Sequence, residues 1–420
     1  MSFKPALVVL LPFGMILLSL VFFSRGILIF LTAFCLMVTQ SHIVEVRSIT
    51  LYLRWVFFFL FAFHVFGDIF LGRTVRNIKS FDVVAIFFIV YAFMSTSYSP
   101  YPSLTLERST TILLLYISVF WIIWKYAFEQ GPEKIIHIVL QVTTIIFIAS
   151  FLMLFIGPYR PFLVGRFTGI FNNPNSLGII CAMLMPLALW EYLTTQNKTY
   201  LILFFIMLVS LFLSVSRGSI NAAILGLIYF IYARSKKYRP AVFFFSVAVI
   251  LTLLWLIQTV ARHFFLVYFR VESIPTGAGR FEVWPVALRL ILESPIFGYG
   301  FGVEETLLKL KHIVPRIHPG GYFHNSYLGI TLQLGLLGAV ILLFPLFTLL
   351  FKELFSKQDD NAPLLRYALR ASLIAGLASG LFESWFYSVG NSQSFPFWII
   401  VMLLTFYRYQ YKEKDSVEGT

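Results

Sequence analysis

Four side chains carry charge or a titratable nitrogen where the surrounding sequence is largely apolar. They are Arg166 in GRFTGIFNNPNSLG, Arg217 in SVSRGS, Arg280 in GAGRFEVW, and His324, which with Asn325 precedes a long apolar run. Arginine presents a planar, permanently charged fork that matches phosphate and carboxylate oxygens. Imidazole titrates near neutral pH and can take a proton from a hydroxyl. The set points to a phosphorylated or acidic substrate and to proton transfer from an attacking group. Each residue also has a plainer reading. Arg217 has an apolar span on either side and almost no loop, so it sits at a membrane edge facing protein or a wet cavity. There it serves a site or ties to a carboxylate such as Glu383. Arg280 follows flexible glycines and precedes Trp284, and its placement depends on the loop fold. His324 is either an interfacial structural residue or a general base. Asn172, Asn173, Pro174 and Asn175 are ordinary helix-start chemistry, because the first helical amides need acceptors and proline brings no amide hydrogen. That chemistry accounts for the asparagines and leaves Arg166 unexplained.

Other chemistries lack their motifs. The sequence contains no HExxH, no P-loop, no GxSxG and no Cys/His set with metal spacing. Asp359-Asp360 falls in a linker, and Glu304-Glu305 would project to different sides of a helix. We expect neither metal nor cofactor. Cys35 and Cys181 each lie inside an apolar run, which fits no disulfide framework.

The elements that must position these residues are membrane helices. Of 420 residues 59% are hydrophobic and 12% charged, with 48 phenylalanines, against about 25% charged in a typical soluble domain. Runs of this length predict helices, since barrel strands would alternate. Apolar segments fall near 6 to 23, 27 to 40, 50 to 67, 81 to 96, 109 to 127, 134 to 156, 176 to 193, 199 to 214, 219 to 233, 241 to 258, 326 to 351, 365 to 382 and 394 to 409. The first is read as a retained span, because Ser24-Arg25-Gly26 is not a cleavage site. The predicted fold is all-α, one polytopic integral-membrane domain over 1–420 with about 12, possibly 13, transmembrane helices.

The net charge of +13 is spread between spans, which fits orientation in a membrane and not nucleic-acid binding. Dense basic loops at Arg73, Arg76 and Lys79, at Arg234 to Arg239, and at Lys352 to Arg366 are placed in the cytoplasm together with the C-terminal tail. Parity then puts 41–49, 97–108, 157–175, the turn at Arg217, 259–323 and 383–393 outside. The loop 259–323 is long enough to suggest a function and short helices of its own. Arg160, Arg262, Arg270, Arg289, Arg316 and His318 fall on the same side, the first three read as headgroup contacts.

These outer segments resemble the O-antigen ligase and O-antigen polymerase superfamily of bacterial envelope enzymes. The likeness rests on STSYSPYPSL at 95–104, on GRFTGIFNNPNSLG, on Ser216 to Gly218, and on Gly279-Arg280 through Trp284 and Pro295 to GYGFG at 298–302. The most specific match is His324-Asn325, nine residues, Gly335, two residues, Gly338. The likeness spans roughly 80 to 345. It implies a membrane-embedded, metal-independent glycosyltransferase of the bacterial inner membrane working at its periplasmic face. The donor would be an undecaprenyl diphosphate-linked glycan and the acceptor lipid A-core or a second lipid-linked glycan. His324 would then activate the acceptor hydroxyl, Arg217, Arg280 and Arg166 would hold the diphosphate, and Asn325, Asn172, Trp284 and Glu383 would support them.

Two other classes compete. A transporter or flippase of lipid-linked sugars predicts polar residues along a midplane path, whereas His64 and Arg370 are the clearest ionisable residues within spans. An oligosaccharyltransferase of another family predicts an acid in the first outer loop, where Glu45 stands alone.

Overall fold

The computed structural model describes residues 24–73, 76–156, 161–235, 280–311, 322–355, 362–388 and 390–418. The predicted segments 6–23 and 241–258 lie outside the described residues, as do Arg160, Arg262, Arg270, Arg316 and His318. The described residues form helices α1 (Arg25–Val38), α2 (Val44–Phe70), α3 (Ser80–Met94), α4 (Pro102–Gln130, with a π-helical turn at Ser118–Ile123), α5 (Pro132–Leu152), α6 (Pro174–Thr195), α7 (Lys198–Ser214) and α8 (Arg217–Arg234). They continue with α9 (Arg280–Glu293), α10 (Glu304–Leu310), α11 (Ser326–Leu354), α12 (Leu364–Ser379) and α13 (Ser394–Glu418). A two-residue hairpin, β1 (Phe162–Leu163) against β2 (Arg166–Phe167), pairs Leu163 with Arg166. Among the described residues, α2, α3 with its following turn, α4, α5, α6 and α11 are long and apolar enough to cross a membrane, while α1, α7 and the apolar part of α13 are shorter.

Boundaries depart from the sequence reading where capping outweighs hydropathy. The stretch 97–108 is not all loop: α4 begins at Pro102, an N-terminal position proline favours, and carries Arg108 on a helix. Arg217 is not in a turn but is the first residue of α8, after a reversal at Val215 with φ 49°. Arg366, assigned to a basic loop, is a buried residue of α12. The long loop read as outer does hold short helices where it is described, α9 and α10.

The most extensive helix packing joins α6 to α7, α8 and α12, and α8 to α12. Small residues allow their close approach: a Cβ on Gly226 of α8 would lie 2.8 Å from the carbonyl of Ala371 on α12. Loops read as outer meet at one end. Ser41 bridges Phe171, the Arg166 guanidinium donates to Ser214 O, and Gly218 lies against Phe382. At the other end Arg76 pairs with Asp82 beneath Phe81, Trp121 and Trp124, and the Ser80 and Tyr409 hydroxyls are bonded at 2.7 Å.

Helix α11 is broken where the motif places Gly335, whose φ of 65° and ψ of −173° interrupt the helix. The loop 294–302 fills the break. Gly300 N donates to Gln333 O at 2.8 Å, Leu336 N to Pro295 O at 2.8 Å, and Tyr91 Oη to Leu334 O at 3.1 Å. Broken backbone at membrane depth is tolerated only where protein or a cavity satisfies its polar groups, and this loop does so. A Cβ on Gly335 would sit 2.0 Å from Ile296 O, and one on Gly298 2.5 Å from Leu332 O. Thus GYGFG and the distal glycines of the histidine motif form one interlocking joint that seats the site.

Candidate active site

Glu383, in the turn between α12 and α13, is the hub of the site. Its Oε1 accepts from Arg280 Nη2 at 2.9 Å and from Asn175 Nδ2 at 2.6 Å, and its Oε2 bonds His324 Nδ1 at 2.9 Å. Arg280, which opens α9, also donates to Phe382 O through Nε and Nη2. Arg166 reaches the same hub one step removed, giving Nη2 to Asn175 Oδ1 at 2.7 Å. Arg217, partly buried, opens α8 beside Gly218 and so beside Phe382, the chain neighbour of Glu383. Arg280 and His324 thereby share one carboxylate, Arg166 joins it through Asn175, and Arg217 opens the helix beside the same turn.

The His324 backbone is held in the left-handed region at φ 51°, a conformation that costs a non-glycine residue on the order of 1 kcal/mol or more. Its neighbours enforce it. Phe323 N donates to Glu304 Oε1 at 2.8 Å, while Phe323 O accepts from Trp284 Nε1 at 3.0 Å. Asn325 N donates to Ser384 Oγ at 3.0 Å, and Ser326 Oγ donates to Glu383 O at 2.7 Å. Asn325 itself is the N-cap of α11, accepting from Tyr327 N and Leu328 N. Trp284 and Asn325 therefore act on the histidine backbone. The Asn172 side chain is exposed; its backbone N–H donates to Gln40 O at 2.7 Å. The cap of α6 is Asn173, and the asparagine that touches the hub is Asn175.

Burial disfavours a charged imidazole at His324, but the Glu383 carboxylate outweighs it and the pKa is raised from 6.5. Burial likewise opposes charge on Glu383, yet His324 and Arg280 hold its pKa below the ordinary carboxylate value. Both shifts favour an imidazolium–carboxylate pair. Glu304, fully buried on α10, is pushed up by burial against donors from Phe323 N, Ser384 and Tyr387.

A cavity of about 290 Å³ opens over this network, lined among others by His324, Glu383, Glu304, Asn175, Gln333 and Arg108. Its remaining wall is mostly amides and hydroxyls, including Gln40, Asn173, Ser388 and Asn391, with Tyr322 and Trp385. Among the described residues no group of three or more His, Cys, Asp or Glu gathers as a metal would require. Sequence reasoning missed Asn175, Glu304 and Arg108. Asn175 was read only as a cap, Glu304 only as half of an acidic pair, and Arg108 only as part of a loop.

Residues 202–343 match the family model described as O-antigen ligase. The matched segment, about a third of the chain, is similar to O-antigen ligases. The resemblance read from the motifs is borne out, over a narrower range than 80 to 345. Arg217, Arg280 and His324 fall inside the matched segment, whereas Glu383, Asn175, Arg166 and Arg108 reach the site from outside it. Among curated relatives, the chain is 27% identical over 217 residues to a ComP-specific O-oligosaccharyltransferase of Acinetobacter baylyi, covering 48% of this chain and 38% of that protein. It is 25% identical over 142 residues, 31% of this chain and 32% of the relative, to a Rickettsia conorii protein whose name marks it provisionally as a polysaccharide ligase. The chain spans about a third of the length of the curated relatives it matches.

Proposed function

We propose that the chain transfers a glycan from undecaprenyl diphosphate to an acceptor hydroxyl at the periplasmic face of the bacterial inner membrane. The observation that carries this reading is the His324–Glu383 pair lining a polar cavity, with Arg280 bonded to the same carboxylate, at the end of the bundle opposite its basic loops. Glu383 engages Nδ1 of His324, so Nε2 is the nitrogen that takes the acceptor proton, and the carboxylate stabilises the imidazolium that forms. The deprotonated hydroxyl attacks the anomeric carbon, the sugar–phosphate bond breaks, and the diphosphate leaves on its lipid carrier. Charge gathering on that leaving group is met by Arg217 and Arg280, with Arg166 behind them. Preorganised cations at a low-dielectric edge stabilise it more than water would. The activated donor supplies the energy, so the reading calls for no nucleotide, metal or cofactor.

The acceptor of the first reading is lipid A-core, which makes the chain a ligase. A polymerase joining lipid-linked repeats would use the same site with a second donor as acceptor. One relative is named a ComP-specific O-oligosaccharyltransferase, a name that points to an acceptor other than lipid A-core. Purified protein given an undecaprenyl diphosphate glycan with lipid A-core, and separately with donor alone, decides between them. Sugar is expected on lipid A-core. Lengthened glycan on the carrier makes it a polymerase, and no transfer to either acceptor overturns both assignments.

A further inference from the structure

The cavity has a basic wall that the roles above leave unused. Arg108 of α4 lines it, and among the described residues its side chain has no hydrogen-bond or ion-pair partner. Beside it stands Arg54 of α2, only 9% exposed. The nearest carboxylate oxygen to Arg54, Glu107 Oε1, lies 3.8 Å from Nη2, too far for a hydrogen bond. Its Nε is buried with no hydrogen-bond partner among the described residues, and its guanidinium also lies over the Trp55 ring.

Both arginines reach the same point. A Cβ built on Gly390 would lie 3.0 Å from Arg54 Nη1 and 3.8 Å from Arg108 Nη1, so the two Nη1 atoms are no more than about 7 Å apart. Like charges this close repel, and their burial demands negative charge that Glu107 meets only in part. Glu305, the next carboxylate, is held by Lys309 and Tyr322. The placement of Arg108 is built in. Gly302 has φ +84°, and a Cβ there would lie 2.3 Å from Arg108 Cγ, so the last glycine of GYGFG leaves room for the arginine stem. Ser388 and Asn391, beside Gly390, add neutral donors and acceptors to the same wall.

We propose that Arg108, facing the cavity, and Arg54, buried behind it, form an anion subsite that takes a phosphate or carboxylate group of the substrate. Naming that anion rests on the glycan-transfer reading: it is the diphosphate of the lipid carrier or the carboxylate of an acidic sugar. Inorganic pyrophosphate and glucuronate, titrated separately into the purified full chain while its thermal unfolding midpoint is followed, test the subsite without any transfer reaction. The wild type is stabilised by at least one of them, Arg108→Ala binds it about tenfold more weakly, and Arg108→Lys recovers part of the loss. A loss confined to pyrophosphate assigns the carrier diphosphate; one confined to glucuronate assigns an acidic sugar. Unchanged affinity for both in a folded Arg108→Ala protein, or no binding of either by the wild type, overturns the proposal. The titration reads anion binding with no transfer reaction, so a variant that loses transfer alone bears on the function above and not on the subsite.

Discussion

The two ends of the bundle use the same residue types to opposite effect. At the end with the basic loops, Arg366 and Arg370 hold the Glu353 carboxylate at 2.8 and 2.9 Å, with Glu353 and Arg370 wholly buried. Arg25 and Lys125 likewise hold Asp68 at 2.9 Å. Those carboxylates are sealed between helices and line no described cavity. At the other end Glu383 also holds a cation at 2.9 Å, yet it lines a cavity, and its remaining partners come from α6 and from the strained turn before α11. What separates a structural ion pair from a chemical one is therefore the neighbourhood. A sealed pair can only stabilise, whereas a pair facing a cavity and sharing its carboxylate with an imidazole can move a proton.

The sharpest way to break the comparison is at His324. Removing a positioned base costs about two to four orders of magnitude in rate, so His324→Ala should lower glycan transfer by that factor while the amount of folded, membrane-inserted protein is unchanged. Transfer assays and membrane quantitation on the same preparation check both halves. The mirror change is Glu353→Gln. Stripping the charge from a buried pair leaves Arg366 and Arg370 uncompensated and destabilises by about 3–5 kcal/mol. Folded yield should fall sharply, and whatever protein survives should transfer glycan at the normal specific rate; a normal melting midpoint would show that this end is not the rigid one.

The smallest effect sharpens the pair itself. A base must be neutral to accept a proton, and the Glu383 carboxylate raises the His324 pKa above 6.5, so the acid limb of kcat/KM should lie above that pH. In Glu383→Gln the attraction is gone while burial still disfavours the imidazolium. The limb should then move to lower pH, with a reduced plateau. An unmoved limb in this variant would assign the titration to another group.

Much of this site was legible one residue at a time. Arg217, Arg280, Arg166 and His324 stand out because permanent charge and imidazole are costly beside apolar spans, and that cost is a property of the residues themselves. The loops holding them could be grouped by their basic counterparts, and those loops do meet. Arg366 misled the same reasoning, because a buried ion pair and a solvated basic loop present the same residue in sequence, and only the position of Glu353 tells them apart.

Residue types alone determined that the chain is helical and apolar, that arginines and a histidine sit at span edges, and that glycines recur near a break. These follow from local physics: hydrogen-bond satisfaction in lipid, the hydration of charge, and the conformational freedom of residues without a Cβ. Only the tertiary structure decided that Glu383 is the shared carboxylate, that Asn175 and not Asn172 reaches it, that GYGFG plugs the break in α11, and that Arg54 and Arg108 converge at Gly390. Those pairings join residues tens to hundreds of positions apart, and a sequence carries the cost of each buried charge without naming the partner that offsets it.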